Sequence, residues 1–258
     1  MPRSSSRAGP HRAGHAPKPA AVVAHFEARF GELGTAARAA SMKAYMKSAL
    51  RFHGVDAKQL RAACAAFCTE DGPLPREQLV AYVDALFATD GFDLRSAAIT
   101  LLERSWKQLA AADLPWLVEL ARAGACWAHV DFLVTKVIAP VLARELDLAR
   151  WIAAWARDPD FWIRRVALLA QLRALRRGGG DFALFARIAA PMLSEREFFI
   201  RKAIGWVLRE VSKQRPALVR DFLLEHAGAC SGVTWREAVK YLPSPMARTA
   251  EARRRAGA

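Results

Sequence analysis

No stretch of this chain runs for the roughly 18–20 uninterrupted apolar residues that a membrane span requires, although 53% of its 258 residues are hydrophobic. The apolar side chains are spread at helical intervals among charged ones, which is the pattern of a protein that buries a core. Strand signals are missing as well, with no period-two Val/Ile/Thr runs closed by Asn-Gly turns. Cysteine is scarce. Cys64 and Cys68 stand four apart on an expected helix, Cys126 and Cys230 are isolated, and no Cys or His cluster nearby completes a metal shell. Their expected role is as small buried side chains, and the lack of a disulfide framework fits a reducing cytosol. No Ser/His/Asp or Cys/His pattern appears. "RRGGGD" (176–181) lacks both a preceding strand and a Lys-Ser/Thr, so it reads as a linker and not a phosphate loop. No metal and no cofactor is expected.

Acid is also in short supply. Asp and Glu total 25 against 39 Lys and Arg, a formal net charge of +14. A surplus of that size points to polyanionic partners, nucleic acid before an anionic membrane given the missing span. The first twenty residues, "MPRSSSRAGPHRAGHAPKPA", have no apolar core of the kind a secretory signal needs, and their prolines and glycines spoil an amphipathic helix. Residues 1–19 are expected to be a disordered basic arm. Residues 244–258, "SPMARTAEARRRAGA", read as a second basic tail of the same kind.

Between these ends the helical period is nearly continuous. Helices are expected over 20–32, 36–52, 56–69, 75–88, 93–109, 113–123, 127–145, 147–157, 160–176, 181–192, 196–213, 215–227 and 233–242. The breaks carry turn-forming strings such as "HGVD", "TEDGPLP", "ARDPD" and "RRGGGD". Helix pairs recur every 35–45 residues or so, the length of a HEAT or armadillo unit. The expected fold is all-α: one domain over 20–243, a right-handed α-solenoid of HEAT-like antiparallel helix pairs. Its long concave surface, if basic, suits a duplex backbone.

Three stretches carry chemistry. In "EFFIRKAIGWVLREVSKQRP" (197–216), Ile200, Ala203, Ile204, Val207, Leu208 and Val211 share one helical face. Lys202, Trp206, Arg209 and Lys213 share the far one. Trp206 either packs against the next repeat or stands in a groove lined by phosphates, which the cations favour. In "GACWAHVDFLVTKVIAP" (124–140), Trp127 and Asp131 share a helical edge beside the apolar row of Val130, Val134, Val137 and Ile138. A carboxylate there is partly desolvated and needs a partner, as an interhelical salt bridge or as a catalytic group. In "DPDFWIRRVALLAQLRAL" (158–175), Arg165 aligns with Trp162, Leu169 and Leu172, and must meet a carboxylate or a phosphate. Arg164 points away and is expected to be solvated. His129 lies off the Trp127–Asp131 edge, and a lone histidine is not a catalyst.

Together with "KAYMKSALRFHGVDAKQLR" (43–61) and "TWREAVKYL" (234–242), these strings resemble the AlkD-type DNA alkylation repair family, HEAT-like-repeat DNA glycosylases, over roughly residues 20–243. The resemblance implies that Asp131 is the catalytic aspartate, Trp127 and Trp206 its paired tryptophans, and Arg165 the arginine of the active cleft. Tyr45 matches the tyrosine of the "YMK" string. Lys43, Lys47, Lys202, Arg209 and Lys213 would then contact DNA, with the cations of the Trp206 face and Arg165 on phosphates. The family often reads Trp-Trp-Asp-Ser-Val-Asp where this chain has Cys126-Trp127-Ala128-His129-Val130-Asp131. The implied partner is double-stranded DNA containing alkylated purines, of the N3-methyladenine and N7-methylguanine type. A cytoplasmic, nucleoid-associated monomer is expected. A non-catalytic HEAT-repeat DNA-binding protein, a protein-interaction scaffold and a glycosylase of different lesion preference stand as alternatives.

Overall fold

The computed structural model describes residues 17–70, 74–124 and 126–256, and every regular element among them is helical. The expected N-terminal arm falls outside the described residues up to position 16. The chain opens with α1 (Pro19–Leu33), α2 (Ala36–Met46), α3 (Ala57–Glu70), α4 (Arg76–Phe87) and α5 (Phe92–Ser105). It continues through α6 (Leu114–Gly124), α7 (Trp127–Leu133), α8 (Ala139–Leu142), α9 (Leu148–Trp155), α10 (Phe161–Leu169) and α11 (Leu172–Arg176). It closes with α12 (Phe182–Met192), α13 (Phe198–Ser212), α14 (Pro216–Glu225), α15 (Gly232–Ala238) and α16 (Ser244–Ala256). No described helix is long and apolar enough to cross a membrane.

Local chemistry explains the helix starts. The side chains of Thr35, Asp147, Asp160, Asp181 and Ser231 each accept a hydrogen bond from a first-turn N–H of the helix they precede. Pro19 and Pro216 occupy first positions, where no N–H is needed. The apolar stripes then decide the stacking. Helices α5, α7, α10, α13 and α15 form one row, each packed on the next, with α4, α6, α9 and α12 behind as partners of the first four and α14 packed on α13 and α16. This is an α-solenoid of helix pairs. The row helices start at Phe92, Trp127, Phe161, Phe198 and Gly232, so side chains about 35 residues apart come face to face.

Two local features shape the row. After α7 the helix widens into a π turn over Val134–Ile138, where the Ala139 N–H reaches back to the Val134 carbonyl. Pro140 follows; it has no N–H for the Lys136 carbonyl, and the widened turn absorbs that defect. Gly205 lets α13 and α15 approach closely. A β-carbon at position 205 would stand 2.7 Å from the Glu237 Cβ and 2.9 Å from the Thr234 carbonyl oxygen.

The helix expected over 36–52 stops at Met46, and Lys47 takes a left-handed conformation (φ 49°). The next residues are drawn into tertiary backbone pairing: the Arg51 N–H donates to the Asp90 carbonyl, and the Arg51 carbonyl accepts from the Phe92 N–H. That pairing overrides local helical preference. The expected C-terminal tail differs too. Residues Ser244–Ala256 form α16, packed on α14, with Ala250 buried and the Arg254 guanidinium 4.5 Å over the Trp235 ring. A buried alanine and a cation on an indole face outweigh the basic run's tendency to stay solvated.

Gly205→Ala should therefore lower stability despite the better helix propensity of alanine. Overpacking costs about 1–3 kcal/mol and propensity returns up to about 1 kcal/mol, so a net loss of roughly 1–2 kcal/mol is expected in urea unfolding. An unchanged midpoint would mean that α13 and α15 can separate freely.

Candidate active site

Asp131 lies one helical turn after Trp127 on α7. Its carboxylate accepts two hydrogen bonds of 2.7 Å from Arg165, one from Nε to Oδ1 and one from Nη2 to Oδ2. The third arm of the guanidinium, Nη1, donates to the Phe199 carbonyl, and the cation lies 5.9 Å from the Phe199 ring centroid. Arg165 is 3% exposed and Asp131 15% at the side chain, so the arginine is the buried partner and the carboxylate reaches solvent. Burial pushes the Asp131 carboxyl above its ordinary value of 3.8, while the hydrogen bonds and charge of Arg165 pull it back. The Thr135 hydroxyl donates to the Asp131 backbone carbonyl at 2.6 Å, joining the active turn to the π turn.

The interhelical salt bridge expected of Asp131 and the carboxylate partner expected of Arg165 are thus one interaction. It also corrects the placing of Arg165 on a phosphate, because each of its three nitrogens donates to Asp131 or to a backbone carbonyl and the side chain is buried. Arg164 is not solvated as expected: its Nε and Nη2 bind the two Glu195 oxygens at 2.9 and 2.7 Å.

The two tryptophans are both half-buried against the core. Trp127 meets the ring of Tyr45 edge-on, with centroids 5.7 Å apart at 81°. Tyr45 is 70% exposed and stands on α2 beside exposed Lys43 and Lys47. Trp206 lines a cleft of about 540 Å³ together with Glu103, Trp106, Thr135, Lys136, Leu172, Arg173, Arg176 and Arg177; Lys136 binds Glu103 at 3.0 Å and Arg176 binds Glu210 at 2.9 Å. Thr135 places the near end of that cleft one turn from Asp131.

The cations around Trp206 are not free, which corrects the picture of mutually repelling charges awaiting phosphates. Lys202 binds Glu237 at 2.6 Å, Arg209 binds the other oxygen of the same carboxylate, and Lys213 binds Glu210 at 2.9 Å. Burial tends to raise both glutamates, but the Lys202 and Lys213 hydrogen bonds and the surrounding positive charge hold them below the ordinary carboxylate value. Glu237 lies in "TWREAVKYL", 35 residues from Lys202, and the repeat length is the one signal in the sequence that relates them. Sequence reasoning also passed over Arg173 and Arg177. They stand four apart, Arg173 near the start of α11 and Arg177 at its C-cap, both exposed, and among the described residues neither meets a carboxylate.

His129 is buried, with its ring stacked on Phe92 at 4.4 Å and Nε2 3.1 Å from the Phe92 carbonyl oxygen. Burial, with help from the Arg95 charge, lowers its pKa from 6.5 to about 4. Cys64, Cys126 and Cys230 are buried, and burial pushes the Cys64 thiol up to about 12. No group of three or more His, Cys, Asp or Glu among the described residues is arranged to hold a metal ion.

Fold and site together define a helical-repeat protein with an arginine-clamped aspartate beside aromatic rings, at the end of a cationic cleft. Residues 26–242 match the family of DNA alkylation repair enzymes, and the chain belongs to that family. A solved structure described as a predicted DNA alkylation repair enzyme from Enterococcus faecalis is similar, at 28% identity and a TM-score of 0.75. The alignment covers 82% of this chain and 97% of that one. Among proteins with curated descriptions, none matches. Membership gives the protein a role in DNA alkylation repair, with DNA as its partner.

The buried His129 makes a further prediction. Its pKa is depressed in the fold, so the unfolded chain takes up the proton first, and stability falls as pH drops from 6.5 toward 4. A shift of that size corresponds to roughly 3 kcal/mol at the acid end. Urea unfolding at pH 7 and pH 4.5 should show a shallower loss for His129→Asn than for the native chain, and equal losses would count against a neutral buried imidazole.

Proposed function

We propose that this protein is a DNA glycosylase that hydrolyses the N-glycosidic bond of cationic alkylated purines in duplex DNA, those of the N3-methyladenine and N7-methylguanine type. One observation carries the reading: a partly desolvated carboxylate aimed by two N–H groups of a buried arginine, one turn from an exposed aromatic corner. Alkylation at either ring nitrogen leaves the base positively charged and a good leaving group. The enzyme then needs little from a general acid. It has to stabilise the oxocarbenium-like sugar as the bond breaks and to place the attacking water. Arg165 occupies one lone pair on each Asp131 oxygen, leaving others for the sugar and the water. Trp127, Tyr45 and Trp206 would turn π faces to the sugar, whose attraction grows as its positive charge develops, so they favour the transition state over the bound substrate.

Duplex DNA would run along the cleft that ends at Trp206. Arg173 and Arg177, with Lys43 on α2 and Lys47 at its C-cap, are the cations best placed for phosphates. Lys202, Arg209 and Lys213 are chiefly occupied in joining α13 to α15 and to their own helix. The chemistry assigned to Asp131 calls for no metal or cofactor, and a monomer carries the whole site. A cytoplasmic, nucleoid-associated location suits this work.

The direct test is release of N7-methylguanine from methylated duplex DNA by the purified protein in single turnover. Asp131→Asn should slow release by roughly 10²–10³-fold, by analogy with removal of a charge-stabilising donor, while duplex affinity stays within about twofold. Excess EDTA should leave the native rate unchanged. Full activity in Asp131→Asn would overturn the assignment, and binding without release by the native protein would favour a non-catalytic DNA-binding solenoid.

The placement of the duplex makes its own prediction. Each phosphate contact adds about 0.9 to the slope of log K against log salt. The pair Arg173→Gln and Arg177→Gln should lower the slope for undamaged duplex by about 1.8 and weaken all sequences alike. Lys213→Ala should change it by far less. The reverse ranking, read by fluorescence anisotropy across a salt series, would return the duplex to the α13 face.

A further inference from the structure

Helix α2 carries Tyr45 to the site, yet none of its own side chains is buried. Its position must come from what it is tied to. Its first turn is bound to the connector that follows it: the Thr35 N–H and the Arg38 guanidinium both donate to the Gly54 carbonyl, at 3.4 and 2.8 Å. Gly54 has a φ of +79° and leaves no room for a β-carbon against Thr35 and Ala39, so the contact is tight. The connector is in turn fastened to α5. Besides the Arg51 backbone pairing, the Phe52 ring stacks on Phe92 with centroids 4.4 Å apart at 18°.

Phe92 stacks equally closely on His129, at 4.4 Å and 29°. The His129 Nε2 lies 3.1 Å from the Phe92 carbonyl oxygen, which also accepts from the Ser96 hydroxyl at 2.9 Å. The same nitrogen lies 3.0 Å from the Ser96 hydroxyl. His129 sits on α7 between Trp127 and Asp131. The contacts therefore close a circuit from Tyr45 through Trp127, along α7 to His129, through Phe92 and Phe52, and back along the connector to α2. An imidazole is costly to bury, as its lowered pKa records. Packing alone would be served by an apolar side chain. The ring supplies two things such a side chain lacks: a flat face in register with Phe92 and a hydrogen bond that fixes its rotation.

We propose that the Phe52–Phe92–His129 stack is the device that holds Tyr45 against Trp127, making Phe52 and His129 positioning residues of the site although neither is placed to touch substrate. This rests on the glycosylase reading and on Tyr45 acting as a wall of that site. Polar ties keep the connector docked without Phe52, since the His53 and Val55 N–H groups donate to Asp93 and His53 binds Glu27 at 2.7 Å. A change at 52 should therefore alter the pose of α2 without unfolding the chain.

A double-mutant cycle on the full chain tests this, read by single-turnover release of N7-methylguanine from methylated duplex at saturating enzyme. Phe52→Leu should slow release by roughly tenfold, less than the hundredfold attached to a misplacement of about 1 Å; at saturating enzyme, any weakening of duplex binding through Lys43 and Lys47 on the shifted helix end does not enter this rate. Combined with Tyr45→Ala it should add nothing further, because it acts through Tyr45, whereas Phe52→Tyr, which keeps the ring, should restore the native rate. Multiplying rate losses in the double variant, or a Phe52→Leu rate equal to native, would overturn the proposal while leaving the glycosylase intact. A native protein that releases no base would overturn both together. A thermal melt of each variant identifies any loss that comes from unfolding, and a rate loss that tracks melting also counts against the stack.

Discussion

The Arg165 guanidinium holds three successive helices of the row at one point. It grips both oxygens of Asp131 on α7, springs from α10, and donates its remaining arm to the carbonyl of Phe199 on α13. Burying an ion pair is not by itself a good source of stability, since well-packed apolar residues of the same volume often do as well or better. Its value here is directional. The planar fork allows one arrangement of the carboxylate, so α7 cannot rotate or slide against α10 without breaking two charge-assisted hydrogen bonds. Losing either partner would leave an uncompensated charge in a desolvated place. The clamp thus fixes the register of the row where the site needs its carboxylate aimed.

The solenoid's period is what makes such clamps possible. Asp131 and Arg165 are 34 residues apart, Arg165 and Phe199 again 34, and Lys202 and Glu237 35. Each spacing matches one helix pair, so residues on equivalent turns of neighbouring row helices meet. The same period lets Gly205 bring α13 against α15 closely enough for Glu237 to hold Lys202 and Arg209 together. Charge neutralised inside the repeats does not reach solvent at full strength. Of the cations near the candidate site, Arg173 and Arg177 have no carboxylate partner among the described residues.

The site thereby divides into a rigid part and a borrowed part. Asp131, Trp127 and Trp206 stand on row helices whose apolar faces are fully packed. Tyr45 stands on a helix with no core of its own, located by a connector and by stacked rings. Any geometry that depends on both parts is sensitive to residues far from the candidate site, because the pose of the weakly packed helix passes through every contact that ties it down.

Much of this was legible in the residues. Helical periodicity, capping residues before the helices and a recurrence of about 35 residues determined an all-α repeat fold, and the shared edge of Trp127 and Asp131 singled out the candidate site. These are properties of neighbours along one helix, where the 3.6-residue turn places side chains without reference to anything else. What the sequence could not decide was partnership across helices. A wheel plot puts Lys202, Arg209 and Lys213 around Trp206, but it says nothing of Glu237 arriving from α15 to neutralise two of them. It shows that Arg165 needs an anion and not that Asp131 is that anion. The end of α2 at Met46 and the folding of the basic tail into α16 were settled in the same way, by a backbone pairing with the start of α5 and by the Trp235 ring. Each depends on distance in space between residues far apart in the chain, and that distance exists only once the repeats have stacked.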